Sequence, residues 1–357
     1  MRVCASCFNL TTMGNFTSPT PLNIKMTRTI HPVGQGAFYS ETFSEEDAHA
    51  LFTAVYDCGG RKAALSRERN KLSRVDIIFL SHFHSDHFSG LMDLKDKFKT
   101  PKVVIPRISP CRFLVDYVYN SMKDKKGKAG SFMLRVLPII MSGQEGMLNE
   151  NSLTQYIPIK TGEKLNIPTV GAKWEYLVFY DEDDAREQQL LELLKDILEL
   201  PDYYPQRYLE NNIYLDIAKR LNNNTTLAKV RKAYAKVFKN RHNSYSMLVL
   251  SHEIKLSLER EGKHFDCLYT GDSPHNRILN KVKTFDPDYL QVPHHGSKNN
   301  FHPALYQNNQ IAFISVGESN RHHHPGLRTL TCLYTTCKEV RVVTEEQRTI
   351  FVSHIVL

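Results

Sequence analysis

The feature that most constrains this chain is a dense group of metal-binding side chains directly after an apolar run. Residues 75–80 (VDIIFL) have the composition of a buried strand, and the heptapeptide SHFHSDH follows at 81–87. Residues 91–98 have a helical pattern, so the heptapeptide is expected on a strand-to-helix loop. Because a loop can direct alternate side chains at one point, two metal positions are predicted. The candidate ligands are His82 and His84 for one metal, and Asp86 and His87 for a second; zinc, manganese and iron suit them.

Length and composition indicate a globular protein with a sizeable core. The 357 residues suffice for one large domain, and 41% hydrophobic with 24% charged residues is ordinary for this class. No run of about 18 apolar residues occurs, so no transmembrane helix or membrane partner is expected. Residues 1–25 lack an apolar core of signal-peptide type and are predicted to be a disordered leader. Seven scattered cysteines, an odd number, favour free thiols and a cytoplasmic location.

The charge of the chain favours a polyanionic partner. The formal net charge is +8, and lysines and arginines cluster at 95–112, 123–128 and 229–241. The third cluster lies on a predicted helix with aromatic residues interleaved. Such clusters neutralise phosphates, so nucleic acid or a nucleotide is the expected substrate. Solvated basic faces without a partner are the alternative interpretation.

The middle of the chain differs in character from its two ends. Helices are predicted over 181–200, 208–221 and 225–240, whereas strand patterns precede and follow them, starting with 33–39 and 54–58. We therefore predict one fold domain over 26–357, interrupted by a mainly helical insertion at about 113–241. Such an insertion is also a candidate docking surface for a partner protein.

Polar residues recur just past the ends of four predicted strands. The strand at 75–80 precedes the metal motif, and the strand at 264–270 ends in Gly271-Asp272. A short apolar run at 289–290 precedes the segment with His294-His295, and the strand at 312–316 leads to 320–325. Packing does not explain this recurrence, so the strand ends are predicted to build one site. Asp57, at the end of an early strand, is expected to orient a histidine ligand from behind.

These segments together resemble the metallo-β-lactamase fold superfamily. Within it they are most similar to the hydrolase domain of ComEC-type DNA-uptake proteins and to the phosphorylcholine esterases. The matching segments are 33–36, 57–60, 82–87, 270–272, 292–297 and 314–317, with Asn320 and His324-Pro325. The resemblance implies an α+β fold, an αββα sandwich of two facing sheets with helices outside, and a binuclear metal site at one edge. It departs at Ala37, where ComEC-type domains usually carry aspartate, and the ComEC membrane segments are missing, so DNA uptake is not carried over.

The same resemblance implies a set of ligands. By position, His82 and His84 hold the first metal, Asp86, His87 and His295 hold the second, and Asp272 bridges the two. His294 is then left to act on the leaving group or to hold a phosphoryl oxygen. The third histidine of the first metal is open: His242 is preferred if strands 246–251 and 264–270 are antiparallel neighbours, and His252 is the alternative.

The expected chemistry is hydrolysis by a hydroxide held between two divalent metal ions, zinc or alternatively manganese. His294, Asn320, Arg321 and His324 are expected to donate hydrogen bonds to a developing oxyanion. The expected substrate contacts are Ser297, Arg321 and Lys298. A nuclease or phosphodiesterase fits this site and the basic charge together. The alternatives are a hydrolase of small esters, thioesters or lactones, a module that keeps metal only structurally, and an effector subunit controlled by a docked partner.

Overall fold

The computed structural model describes residues 24–45, 49–98, 101–107, 118, 156–167, 174–180, 184–199, 219–221, 223–238, 246–253, 265–273, 279–280 and 284–357. The predicted leader lies outside these residues except for Ile24 and Lys25. Those two residues begin the first strand, so the predicted boundary at 25 is slightly too late. In the described part of the chain, no helix has both the length and the apolar composition needed to cross a membrane.

The first sheet has seven strands in the order β14-β1-β2-β3-β4-β5-β6. Their bounds are Ile24–Ile30 (β1), Phe38–Glu45 (β2), Ala50–Cys58 (β3), Ile77–Phe79 (β4), Lys102–Pro106 (β5), Tyr156–Ile159 (β6) and Phe351–Val356 (β14). Strands β1 to β3 are antiparallel neighbours, whereas β3 to β6 run parallel. In β1 every second residue is buried, as expected for a strand whose one face covers a core.

The second sheet has seven strands in the order β13-β12-β11-β10-β9-β8-β7. Their bounds are Lys164–Asn166 (β7), Trp174–Phe179 (β8), Leu248–Glu253 (β9), Cys267–Tyr269 (β10), Tyr289–Gln291 (β11), Ile311–Ser315 (β12) and Glu339–Val343 (β13). Strands β10 to β13 are parallel, and β9 runs antiparallel to β10. The carboxyl ends of β10, β11 and β12 therefore meet at one edge, and the loops that follow them lie side by side.

The two sheets face each other across an aromatic core, and helices cover their outer faces. The helices are Lys62–Lys71 (α1), Ser85–Phe88 (α2), Leu91–Phe98 (α3), Asp184–Leu198 (α4), Asn224–Phe238 (α5) and Leu327–Thr336 (α6). Between the sheets lie buried rings such as Tyr39, Phe79 and Trp174. Outside them, Leu194 of α4 belongs to the core over the first sheet and Leu333 of α6 to the core over the second. The predicted αββα sandwich is confirmed.

A buried ion pair also spans the space between the sheets. Arg28 and Glu41 lie on the first sheet, with the Arg28 Nε atom 2.8 Å from the Glu41 Oε1 atom. The second sheet donates three hydrogen bonds to the same carboxylate, from the hydroxyl groups of Tyr176, Ser251 and Tyr269. The Glu41 carboxylate therefore links the two sheets and holds them in position relative to each other.

Two predictions about the elements are wrong in part. The strand predicted at 33–39 begins only at Phe38, because the preceding residues form a loop in which Gly34 has a φ of +76°. The predicted insertion at about 113–241 is too long, because three strands of the two sheets, β6, β7 and β8, lie within those bounds. Helices α4 and α5 agree with the helices predicted at 181–200 and 225–240. The helix predicted at 208–221 lies almost entirely outside the described residues.

Candidate metal centre

The candidate site lies where strands of both sheets end. After β4 the chain continues through the buried residues Ser81 and His82. Asp86 and His87 follow on the short helix α2, not on a loop as predicted, so the helix sets their direction. Helix α2 can lie against the chain just past the end of β3 because residue 59 is glycine. A Cβ added there would collide with the carbonyl group of Asp86.

The structure brings six of the seven implied ligands into two neighbouring groups. One contains His82, His84 and Asp272, and the other contains Asp86, His87 and His295; within each group, one ligand atom per residue lies within 4.8 Å of the others. Asp272 reaches both groups, because its Oδ1 atom lies 3.2 Å from His87 Nε2 and its Oδ2 atom lies 3.7 Å from His82 Nε2. This is the position that a bridging carboxylate requires.

Three of the candidate histidine ligands have hydrogen-bond acceptors at Nδ1, which favour the tautomer with its hydrogen on that atom. The Nδ1 atom of His87 lies 2.7 Å from Asp57 Oδ2, and that of His295 lies 2.7 Å from the carbonyl oxygen of Ser315. The Nδ1 atom of His82 lies 2.9 Å from Ser81 Oγ, whose hydrogen is donated to Asp57. These acceptors place a hydrogen on Nδ1, so the unprotonated Nε2 atom faces the other candidate ligands, as in metal-binding histidines. Asp57 therefore lies where it was predicted, behind a candidate ligand.

The electrostatics of the site also fit a cation. Burial and the neighbouring His87 and His84 rings lower the pKa of His82 well below its usual value, which keeps the ring in its neutral, ligating form. Burial acts to lower the pKa of His87, but the carboxylates of Asp272, Asp57 and Asp86 outweigh it and raise that pKa well above its usual value. Negative charge therefore accumulates around His87, and a divalent metal ion would neutralise it. The imidazole and carboxylate donors suit zinc or manganese.

The double-histidine segment directs one ring at each group. His294 and His295 both have positive φ angles, 48° and 55°, and their rings lie 6.1 Å apart at 74°. The Nε2 atom of His295 lies 3.4 Å from Asp86 Oδ2, whereas that of His294 lies 3.7 Å from Asp272 Oδ2. His82 approaches the same Asp272 oxygen at the same distance. The geometry therefore adds His294 as a candidate for the third imidazole of the first metal, which the sequence interpretation had not considered.

The two earlier candidates for that ligand are placed differently. Strands β9 and β10 are antiparallel, so Ser246, just before β9, lies beside Asp272, and its Oγ atom accepts a hydrogen bond from Asp272 N at 3.0 Å. His252 lies near the far end of β9, where its Nε2 atom is 3.0 Å from Glu175 Oε1, so the structure places it away from the site. His242 lies outside the described residues and stays a prediction.

The loop after β12 gives Asn320 a different role from the predicted one. The Nδ2 group of Asn320 donates to the carbonyl oxygens of Gly317 and His324, and its Oδ1 atom accepts from His324 N. Both amide hydrogens are thus used within the loop, and Asn320 shapes the loop instead of binding an oxyanion. His324 does border the site, with its ring centroid 5.8 Å from that of His294. Burial and the neighbouring His294 and His295 rings lower its pKa to about 4.

The three predicted substrate contacts differ in exposure. Lys298 and Arg321 are exposed, and neither forms an ion pair with a described residue. Ser297 is 4% exposed, so its side chain offers little surface to a substrate. Sequence reasoning missed the residues behind the ligands, namely Ser81, Ser246, Asn300 and the carbonyl group of Ser315, because short polar residues at strand ends carry no distinctive signal.

Comparison with known families supports the interpretation of the first part of the site. Residues 49–127 match the sequence model of the metallo-beta-lactamase superfamily. This segment contains β3, α1 and β4 together with the candidate ligands at 82–87. No significant match to a curated protein was found.

The solved structures that match this chain have low sequence identity and TM-scores below 0.5. The metallo-beta-lactamase fold protein YhfI from Bacillus subtilis has 11% identity and a TM-score of 0.46, over 93% of this chain and 100% of its own. Unliganded yeast PDE1 has 8% identity and a TM-score of 0.44, over 94% of this chain and 100% of its own. The long form of RNase Z from yeast has 11% identity and a TM-score of 0.35, over 94% of this chain and 38% of its own.

Proposed function

We propose that this protein is a binuclear metal-dependent hydrolase that cleaves phosphodiester bonds in nucleic acid or a nucleotide. The observation that carries the proposal is the position of Asp272, whose two carboxylate oxygens face different ligand groups. Two divalent ions held there would supply a water that ionises at neutral pH and would stabilise charge on the oxygens of a displacement at phosphorus. Zinc is the preferred metal and manganese the alternative.

The chain's own residues hold the reacting groups in position. Asp57 fixes the ring of His87, and the carbonyl group of Ser315 fixes that of His295. His324 has a pKa of about 4, so its ring is neutral at pH 7 and can donate one hydrogen bond to a phosphoryl oxygen beside His294. Lys298 and Arg321 are exposed cations on the loops after β11 and β12, where they can contact phosphates of a longer substrate.

A phosphodiester is favoured over other esters by two features. Helix α5 exposes Lys229, Arg231, Lys232 and Lys236 and contains no acidic residue, so every charge on its outer face is positive. Such a face attracts polyanions, with an affinity that falls as salt rises. The resemblance of the 270–272 and 292–297 segments to ComEC-type hydrolase domains supports the same substrate class.

The test is a substrate panel with two matched variants. The purified protein is incubated with zinc or manganese and with single-stranded DNA, duplex DNA, RNA or bis(p-nitrophenyl) phosphate. We expect metal-dependent cleavage that is lost in the double variant Asp86→Ala, His87→Ala and retained in His252→Ala, which alters a histidine remote from the site. Turnover of carboxylic esters, thioesters or lactones without cleavage of any phosphodiester would instead assign the alternative hydrolase function.

Elemental analysis resolves the third imidazole of the first metal. His242→Ala and His294→Ala are compared with the unaltered protein for metal content after dialysis. Loss of one metal in His294→Ala alone makes His294 a ligand and leaves His242 without that role. Loss in His242→Ala alone supports the ligand preferred from the sequence and leaves His294 to act on substrate.

A further inference from the structure

The inference concerns Asn300, a buried residue that joins two loops of the site. Asn300 is 8% exposed and follows the turn that carries the double histidine, with its backbone N–H donating to the Ser297 carbonyl oxygen. Its Nδ2 atom lies 2.8 Å from the carbonyl oxygen of Asp272 and 3.4 Å from that of Ser273. Its Oδ1 atom lies 3.1 Å from the Nδ1 atom of His294. One amide therefore touches the loop after β10 and the loop after β11.

The two carbonyl oxygens determine which way the amide of Asn300 faces. A carbonyl oxygen accepts hydrogen bonds and cannot donate one, so the NH₂ end must face Asp272 and Ser273. The amide oxygen is then directed at His294 Nδ1, and it too can only accept. The hydrogen of a neutral His294 ring must therefore lie on Nδ1. The Nε2 atom of His294 then carries no hydrogen, and its lone pair faces Asp272 Oδ2, 3.7 Å away, among the candidate metal ligands.

We infer that Asn300 is a positioning residue that sets the tautomer of His294 and links that ring to the backbone of Asp272. His294 needs such a restraint because its φ of 48° is uncommon for a residue with a side chain. Histidines 87 and 295 obtain the same tautomer from a carboxylate and a backbone carbonyl group. For His294 the acceptor is a side chain, which a substitution can remove. The inference rests on the proposed function only for its effect on turnover.

The first test reads the tautomer directly and needs no substrate. Nitrogen-15 spectra of the imidazole groups are recorded on metal-free protein at a pH where the ring is neutral, and the His294 signals are assigned by their loss in His294→Ala. We expect hydrogen on Nδ1 and none on Nε2 in the unaltered protein and in Asn300→Asp, which keeps an acceptor. Asn300→Leu, which has no acceptor, should show both tautomers. Hydrogen on Nε2 in the unaltered protein, or an unchanged spectrum in Asn300→Leu, overturns the inference.

The second test measures turnover of bis(p-nitrophenyl) phosphate. For Asn300→Leu we expect kcat to fall by roughly 10–100-fold, the usual cost of removing a partner that orients a ligand or catalytic ring. Asn300→Asp restores the acceptor for His294 Nδ1 but not the donors to the Asp272 and Ser273 carbonyl oxygens, so it should recover part of that loss. Asn299→Ala, altered at the exposed neighbouring position, should match the unaltered protein. Equal losses in Asn300→Leu and Asn300→Asp, with both variants folded by circular dichroism, contradict the tautomer role. If the unaltered protein cleaves no phosphodiester, the proposed function fails while the spectra still decide the role of Asn300.

Discussion

At the scale of single residues, the site depends on side chains that would touch no metal. Asp57 is the clearest case, because it accepts hydrogen bonds from Ser81 and lies 2.7 Å from His87 Nδ1. Asp57 has a φ of 54°, a conformation that aspartate and asparagine tolerate better than most residues. In this conformation its carboxylate faces Ser81 and the Nδ1 side of the His87 ring. A substitution that keeps the shape and removes the charge is therefore informative.

We predict that Asp57→Asn weakens metal binding by roughly 10–100-fold. The new amide has one acceptor oxygen, which cannot serve both the backbone N–H of Ser81, now on Oδ1, and the Nδ1 of His87, now on Oδ2. Competition with a chromogenic chelator measures the change. Asp76→Asn serves as the control, since Asp76 lies just before β4, accepts from Thr53 N of β3 and pairs with Arg74. Equal affinity in Asp57→Asn and the unaltered protein would mean that Asp57 has no part in orienting His87.

The sequence predicts the candidate ligands but not the residues that hold them in position. Histidine and aspartate at 82–87, 272 and 295 carry chemical identity, and a strand end before each segment indicates a common edge. Asn320 was misinterpreted because an amide finds acceptors within its own loop as readily as on a substrate. Ser246 and Asn300 act through contacts more than 20 residues away in sequence, and short polar residues are too common at strand ends to be singled out.

At the scale of elements, helix α5 combines a buried face and a basic face. Val230, Ala233 and Val237 are buried in the core over the first sheet, and the basic residues lie on the opposite side. This division explains why the helix could be predicted from periodicity. The function of its outer face is a separate question, because a basic face is often only a solvated one.

We predict that reversing the charge of Lys229, Lys232 and Lys236 to glutamate raises KM for a polynucleotide and reduces the salt dependence of its binding, because up to three phosphate contacts are lost. Cleavage of bis(p-nitrophenyl) phosphate should be unchanged, since that substrate is too small to reach from the site to a separate basic face. The matched control replaces the same three lysines with arginine and keeps the charge. Equal KM in the two triple variants would show that this face is solvated only.

The strands that the sequence analysis did not predict include two short ones inside the predicted insertion, β6 and β7. Strands β6 and β7 contain four and three residues, too few for alternation to stand out from chance. Their conformation comes from pairing: β6 lies beside β5, and β7 lies beside β8. The pattern for the neighbouring helices was long enough to detect, so the whole region was interpreted as helical.

At the scale of the whole molecule, buried polar groups make stability depend on pH. His31 is 2% exposed, with its Nε2 atom 2.8 Å from Ser40 Oγ and its Nδ1 atom 3.3 Å from Glu68 Oε2. Burial lowers the pKa of His31; hydrogen bonding to Glu68 opposes this, and nearby Lys71 adds to it. The unfolded chain therefore binds a proton at this residue at a higher pH than the folded protein does.

We predict that His31 makes the protein lose stability as pH falls below about 6.5, the pKa of an unfolded histidine, and that the loss continues down to the lower folded pKa. Urea unfolding at pH 7 and pH 5 measures this loss. In His31→Gln the difference between the two pH values should shrink, whereas His49→Gln, at an exposed position, should leave it as in the unaltered protein. A pH dependence unchanged in His31→Gln would assign the effect to other groups.

The link between the two sheets at Glu41 leads to the largest predicted change in stability. Arg28 is fully buried and relies on Glu41 for its charge partner, while Tyr176, Ser251 and Tyr269 complete the carboxylate's hydrogen bonds from the opposite sheet. Glu41→Ala would leave the guanidinium group buried without a counter-charge, so we expect the free energy of unfolding to fall by about 3–5 kcal/mol. Urea unfolding measures the change, with Glu45→Ala at the end of β2 as the control.

The double variant Arg28→Met, Glu41→Leu should be more stable than Glu41→Ala, because removing both charges leaves no unpaired charge in the core. If the double variant is the less stable of the two, the cost lies in lost packing and hydrogen bonds, and the buried charge is not its main cause.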